Sequence, residues 1–189
     1  MPPAMPPGIA PGMPSGIPLG VATIRDAAEA DLPRILEITN QAILHTTAVW
    51  TLAPTTLPAR RAWLEERTGR GFPVLVAEQN GDVLGFASYG DFRPWEGYRH
   101  TVEHSVYVHP EAQGRGVGRA LLTALLAHAE GRGFHVMVGG IEAGNTASVA
   151  LHKWAGFEEA GVLREVGRKF GRWLDLLFMQ KMLAGPAPD

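Results

Sequence analysis

A mixed α/β (α+β) domain, with a mostly antiparallel sheet flanked by helices, follows from three features of this 189-residue sequence. The apolar runs Pro73–Glu78 and Val83–Tyr89 flank Asn80-Gly81-Asp82, a hairpin signal because Asn and Gly accept the left-handed backbone of a tight turn. The second half alternates strand-like and helix-like segments in the order β-α-β-α-β, which requires a crossover and therefore a mixed sheet. Hydrophobic residues make up 46% and charged residues 19%, enough for one core and too little chain for two.

Residues 1–20 form a separate compositional zone of seven prolines and four glycines. Such a stretch cannot bury a continuous apolar face and reads as a flexible extension. A secretory leader does not fit it, since prolines interrupt every apolar run and no basic region precedes them. The folded domain is expected over 21–184, with 185–189 as a tail. Ala22–Arg25 reads as a short strand. Asp31 follows as an N-cap, with Pro33 in the first turn and Leu32, Ile35, Leu36, Ile38, Ala42 and Ile43 along one helical face. A second helix spans about 58–68, and the hairpin comes next. Thr101–Val108 is a strand, Gly116 to about Glu130 a helix, and Phe134–Ile141 a strand. Asn145–Ala155 is helical, and two closing strands lie near Val162–Val166 and Trp173–Met182. No internal repeat is present.

With 17 basic and 19 acidic residues the formal net charge is −2. No Lys/Arg stripe stands out, so nucleic acid is not an expected partner. The absence of cysteine excludes disulfides, thiolate zinc sites and a cysteine nucleophile. No apolar run approaches the roughly 18–20 residues that span a bilayer. A soluble, cytoplasmic protein with no membrane partner is the expectation. His100 and His104 have the spacing of a helical metal pair, but on a strand they would stand about 13 Å apart. No metal is expected.

The most informative stretch is Ser105-Val-Tyr-Val-His-Pro-Glu-Ala-Gln-Gly-Arg-Gly-Val-Gly-Arg119. A strand ends at Val108, and a glycine-rich turn leads into a helix. Gly114, Gly116 and Gly118 let backbone approach a ligand. The free N–H groups of the first helical turn, the helix dipole, Arg115 and Arg119 make an anion site suited to pyrophosphate. A P-loop would need Lys-Ser/Thr where Arg119-Ala120 stands, and a dinucleotide fingerprint would open the sheet rather than follow several strands. The pattern left is Gln-x-x-Gly-x-Gly/Ala, here Gln113-Gly-Arg-Gly-Val-Gly118.

Taken with Thr101-Val-Glu-His-Ser-Val-Tyr-Val108, Ile141-Glu-x-x-Asn145, Leu151-His152, Gly156-Phe157 and Gly167-Arg-Lys-Phe-Gly-Arg-Trp-Leu-Asp175, this loop makes residues from Ile24 to about Leu183 resemble the GNAT acetyltransferases. More narrowly, the chain resembles the phosphinothricin, methionine sulfone and methionine sulfoximine N-acetyltransferases, and 95–108 looks nearer the methionine-derivative branch. The resemblance implies a GNAT fold with two splayed central strands, acetyl-CoA as acetyl donor, a small amino-acid acceptor and a homodimer. It implies backbone pairing of Val106, Tyr107 and Val108 with pantetheine. It also implies cofactor contacts from Gly114, Arg115, Gly116, Val117, Gly118, Arg119 and Asn145, although Asn145 also reads as a simple N-cap.

Strand alternation puts Thr101, Glu103, Ser105 and Tyr107 on one face and Val102, His104, Val106 and Val108 on the other. Glu103 is the general base the resemblance supports, taking the proton of the substrate ammonium directly or through water; a solvated strand glutamate is the bland alternative. His152 stands where the resemblance implies help in proton transfer or at the departing sulfur, or else it is a partly buried helix histidine. The resemblance places substrate recognition on Arg93, Pro94 and Trp95 together with Glu103, His104 and Ser105. An arginine suits a carboxylate because its planar fork donates two parallel hydrogen bonds. Trp50 reads as a pocket wall or as core. Lys169, Arg172, Trp173 and Asp175 read as pocket lining or a dimer contact. Two other readings compete: the same chemistry on a polyamine, antibiotic or protein N-terminus, and a non-catalytic acyl-CoA sensor.

Overall fold

Asn80 (φ 55°) and Gly81 (φ 87°) both take left-handed backbone, the type I′ geometry whose twist matches that of the strands it joins. They connect β2 (Val74–Gln79) to β3 (Asp82–Asp91), with Gln79 facing Asp82. The computed structural model describes residues 22–184. The readings of 1–20 as a flexible extension and 185–189 as a tail lie outside the described residues.

The remaining strands are β1 (Thr23–Asp26), β4 (Thr101–Val108), β5 (Val136–Glu142), β6 (Glu158–Lys169) and β7 (Arg172–Met182). They form one seven-stranded sheet in the order β1-β2-β3-β4-β5-β7-β6. Every neighbouring pair is antiparallel except β4–β5, which is joined by a crossover through α3 (Val117–Gly131). Helices α1 (Leu32–His45) and α2 (Leu57–Gly69) cover one face, where Ile35 and Ile38 meet Val76, Val83 and Phe86. The opposite face takes α3, whose Leu121, Leu122 and Leu125 pack on Ala77, Ala87, Val102 and Met137. Each of these buried leucines contributes about 1.5–3 kcal/mol. The last helix is α4 (Thr146–Trp154).

Two expectations are corrected. Asp31 does not cap α1 by a side-chain hydrogen bond. Its carboxylate accepts from the Ala28 N–H at 2.8 Å and pairs with Arg25 at 2.7 Å, sealing the short turn before the helix. The strand expected at Val162–Val166 runs instead from Glu158 to Lys169. Register shifts at Glu159/Gly161 and Leu163/Gly167, with left-handed Glu165 (φ 55°), absorb the irregularity and let pairing resume.

The arrangement of β4 and β5 positions the site. They pair from Thr101↔Val136 to His104↔Gly139 and no further. Beyond His104, β4 pairs only with β3, and β5 continues to Glu142 beside β7. A gap between the two strands therefore opens at the middle of the sheet, where the resemblance implies it.

Candidate active site

The gap exposes one backbone edge of Val106, Tyr107 and Val108, whose other edge is taken by β3. At its mouth lies the glycine-rich turn. Gly114 (φ 73°) and Gly116 (φ 82°) are left-handed, and a Cβ at either would meet no heavy atom within 4 Å. The turn is thus an open cradle at the N-terminus of a 15-residue helix, whose first N–H groups lack intrahelical acceptors. Gly118 serves packing, since a Cβ there would touch Leu151 at 3.4 Å and Val108 at 3.6 Å. Val117 is buried. Arg115 donates to Gln79 at 2.8 Å, and Arg119 lies 4.7 Å from the Trp154 ring. Both are exposed and close to the cradle's rim. Asn145 caps α4, its Oδ1 accepting from the Ser148 N–H at 3.1 Å. These groups fit a pyrophosphate-bearing acyl carrier, with the open glycine cradle as the decisive feature.

Glu103 lies on the α1/α2 side of β4. Its half-buried carboxylate stands 3.8 Å from Arg93. Burial raises its pKa above the ordinary 4.5, and Arg93 opposes the shift. Arg93 stacks on Phe92 at 4.0 Å; Pro94 and Trp95 are exposed beside it in the β3–β4 connection. On the same face, Ser105 and Tyr107 line a cavity of about 300 Å³ roofed by α1, α2 and the loop between them, with Thr39, Thr55, Arg60 and Trp63 on its walls.

His104 departs from the expected substrate set. Its side chain points to the other face, is 8% exposed, and meets His152 with Nε2···Nε2 at 3.1 Å. Strand alternation separates it from Glu103 and Ser105. His152 Nδ1 lies 2.7 Å from the Ser148 carbonyl and must donate to it, so His152 Nε2 accepts from His104 Nε2–H. The two rings stack with centroids 5.0 Å apart. Burial lowers the pKa of both, that of His104 to about 3. His152 is therefore a neutral, doubly engaged imidazole, which narrows the expectation that it serves as a free acid at sulfur.

Two positions beside these side chains, Gly139 and Gly140, were not singled out from the sequence. A Cβ at Gly139 would come within 3.1 Å of Nε2 of both histidines, and one at Gly140 within 3.2 Å of the Glu103 carboxylate. The doublet clears space on both faces of β5; adjacent glycines inside a strand were the available signal. Lys169 neither lines the cavity nor faces solvent. It is 4% exposed and donates to the carbonyls of Ile43, Thr46 and Val49 at 2.5, 2.7 and 2.5 Å. Trp50 donates from Nε1 to Thr47 O at 2.8 Å and covers Gly167, bracing the same loop rather than walling the cavity. Arg172 and Trp173 are exposed, and Asp175 accepts from the Glu165 N–H at 2.8 Å.

A sequence model of the acetyltransferase (GNAT) family matches residues 34–157. The L-methionine sulfoximine/L-methionine sulfone acetyltransferase of Pseudomonas aeruginosa is 56% identical over 160 residues, covering 84% of this chain and 93% of that one. A phosphinothricin N-acetyltransferase of Alcaligenes faecalis is 42% identical over 162 residues, 85% and 82% of the two chains. A Salmonella typhimurium acetyltransferase solved with its cofactor acetyl-CoA superposes with TM-score 0.86 at 52% identity, covering 90% and 99%. A Brucella melitensis structure described as a ribosomal-protein-alanine N-acetyltransferase gives 0.84 at 58% identity, covering 85% and 99%. The splayed strands, the open glycine cradle and these likenesses agree, and the chain belongs to the GNAT family as an acetyl-CoA-dependent N-acetyltransferase.

Proposed function

We propose that this enzyme acetylates the α-amino group of a small amino-acid-like acceptor of the methionine sulfone, methionine sulfoximine or phosphinothricin type. The observation that carries the reading is the half-buried Glu103 carboxylate on β4, two residues before the strand's open edge begins and on the same face as a cavity of about 300 Å³. The names of the relatives above point the same way, and the higher identity favours the methionine-derivative branch.

In this reading acetyl-CoA supplies the acetyl thioester. The cradle Gly114–Arg119 holds its pyrophosphate, the free edge of Val106–Val108 pairs with its amides, and the Asn145 side-chain NH₂ adds a contact. Glu103 takes the proton of the acceptor ammonium, and the raised carboxyl pKa improves the match between base and acid. Arg93, with Pro94, Trp95 and Ser105, orients the acceptor. His104 and His152 hold each other and the strand edge from the opposite face. The exposed apolar side chains Val162, Leu163, Val166, Phe170 and Trp173 on β6, its hairpin and β7 support a homodimer through that edge. A cytoplasmic location accompanies the reading, consistent with a sequence free of cysteine.

A second reading, acetylation of a protein N-terminus, has the Brucella likeness in its favour; a polyamine is opposed by Arg93 and Arg60. Thiol release from acetyl-CoA decides among them with methionine sulfone, methionine sulfoximine, phosphinothricin, spermidine and an alanine-initiated peptide. The sulfone or sulfoximine is expected to give the highest kcat/KM. Turnover of the peptide with none of the amino acids would overturn the proposal.

A further inference from the structure

Arg60, near the start of α2, is the one charged residue among those lining the cavity. Its guanidinium lies 4.8 Å from the Trp63 ring and close enough to Tyr107 to favour ionisation of the phenol. Its Nε is shut off from water with no hydrogen-bond partner, and no carboxylate among the described residues pairs with it. By contrast Arg25, Arg34, Arg61, Arg67, Arg70 and Arg93 each have a carboxylate within 3.8 Å. Burial lowers the Arg60 pKa, opposed by Tyr107 and by no carboxylate. A partly desolvated cation without a counter-charge costs the folded state free energy. Such a cost is tolerated at sites whose missing partner is a ligand.

The position of Arg60 says which part of the ligand it meets. Glu103, Ser105 and Tyr107 follow one another along one face of β4, each step about 7 Å. The carboxylate that serves the amine is at the near end, and Arg60 with Tyr107 is further along. An acceptor whose nitrogen is at Glu103 runs its side chain past Ser105 toward the guanidinium. We infer that Arg60 determines acceptor specificity by donating hydrogen bonds to oxygens on the head of the acceptor side chain: sulfone, sulfoximine or phosphinate. Thr55 and Ser105 supply further polar lining. A thioether head accepts such bonds only weakly and leaves the cation as unpaired as in the empty cavity. The inference rests on the amino-acid acceptor reading and adds to it the group that recognises the head.

The experiment compares kcat/KM for L-methionine sulfone and L-methionine in the wild type, Arg60→Met and Arg60→Lys, with acetyl-CoA affinity and melting temperature measured on each. Arg60→Met should lower kcat/KM for the sulfone roughly 10- to 100-fold and for methionine less than about threefold. Acetyl-CoA affinity should hold, and the melting temperature should stay level or rise as the unpaired charge is removed. Arg60→Lys, which keeps the charge but not the fork, should fall between. Equal losses for both acceptors, or no loss for the sulfone, would overturn the assignment while leaving the acceptor reading intact. A wild type that acetylates neither amino acid overturns the acceptor reading and this inference with it.

Discussion

Glu103 and His152 stand on opposite faces of the sheet. A Cβ on Gly140 would reach Glu103 and one on its neighbour Gly139 would reach His152, and successive strand residues project to opposite sides. The two groups expected to share proton transfer are thus divided by β5. Glu103 shares the face of β4 whose Ser105 and Tyr107 line the cavity, and His152 belongs to a buried imidazole pair on the other face.

Glu103→Gln keeps size and polarity but removes basicity. Turnover on the best amino-acid acceptor should fall by roughly 10²-fold or more, with acetyl-CoA affinity by calorimetry little changed. The wild-type acidic limb should lie above the ordinary carboxyl range, because burial raises the Glu103 pKa above 4.5. A raised carboxyl pKa means that ionisation disfavours the fold, so stability declines as pH rises through that window. The Gln variant should therefore melt slightly higher than wild type at neutral pH and not below pH 4. Near-normal turnover in the variant would move the base elsewhere.

The imidazole pair predicts a pH dependence of the opposite sign. His104 ionises at about 3 in the folded protein against an ordinary 6.5, chiefly through burial and secondarily through His152. The unfolded chain takes up a proton first, so stability should be fully present above pH 6.5 and drop between 6.5 and 3. Chemical denaturation across this range should show that slope, and His104→Gln should flatten it even if the variant is less stable throughout. An unchanged slope would contradict the burial of His104.

Gly116 caps α3 in left-handed geometry with open space around it. Gly116→Asp would put a carboxylate in the turn proposed to hold pyrophosphate, at a backbone cost of about 1–2 kcal/mol. Acetyl-CoA affinity should weaken at least 10-fold in a protein that still folds. Calorimetry with unchanged affinity would remove the cradle from the cofactor site.

Lys169→Met removes an ammonium that three carbonyls accept from. The loss should be about 1.5–3 kcal/mol of stability. The loop it holds contributes Val49, Thr51 and Thr55 to the cavity, so acceptor KM should rise several-fold while acetyl-CoA affinity holds. Stability loss with an unchanged KM would make Lys169 purely structural.

What the sequence by itself determined is what local chemistry controls. Asn80-Gly81 specifies its turn through backbone preference, Gln113–Gly118 its cradle through missing Cβ atoms, and the period of two in Thr101–Val108 the face that carries Glu103. That same period already set His104 apart from Glu103 and Ser105, although the family pattern grouped the three. The tertiary structure alone decided which groups meet across the sheet. Lys169 reaches Ile43 across 126 positions, and His104 reaches His152 across 48. Arg60 looks like any helix-surface arginine until α2 is laid over β4. A cation's role depends on what surrounds it, and no local pattern encodes the packing of one layer on another.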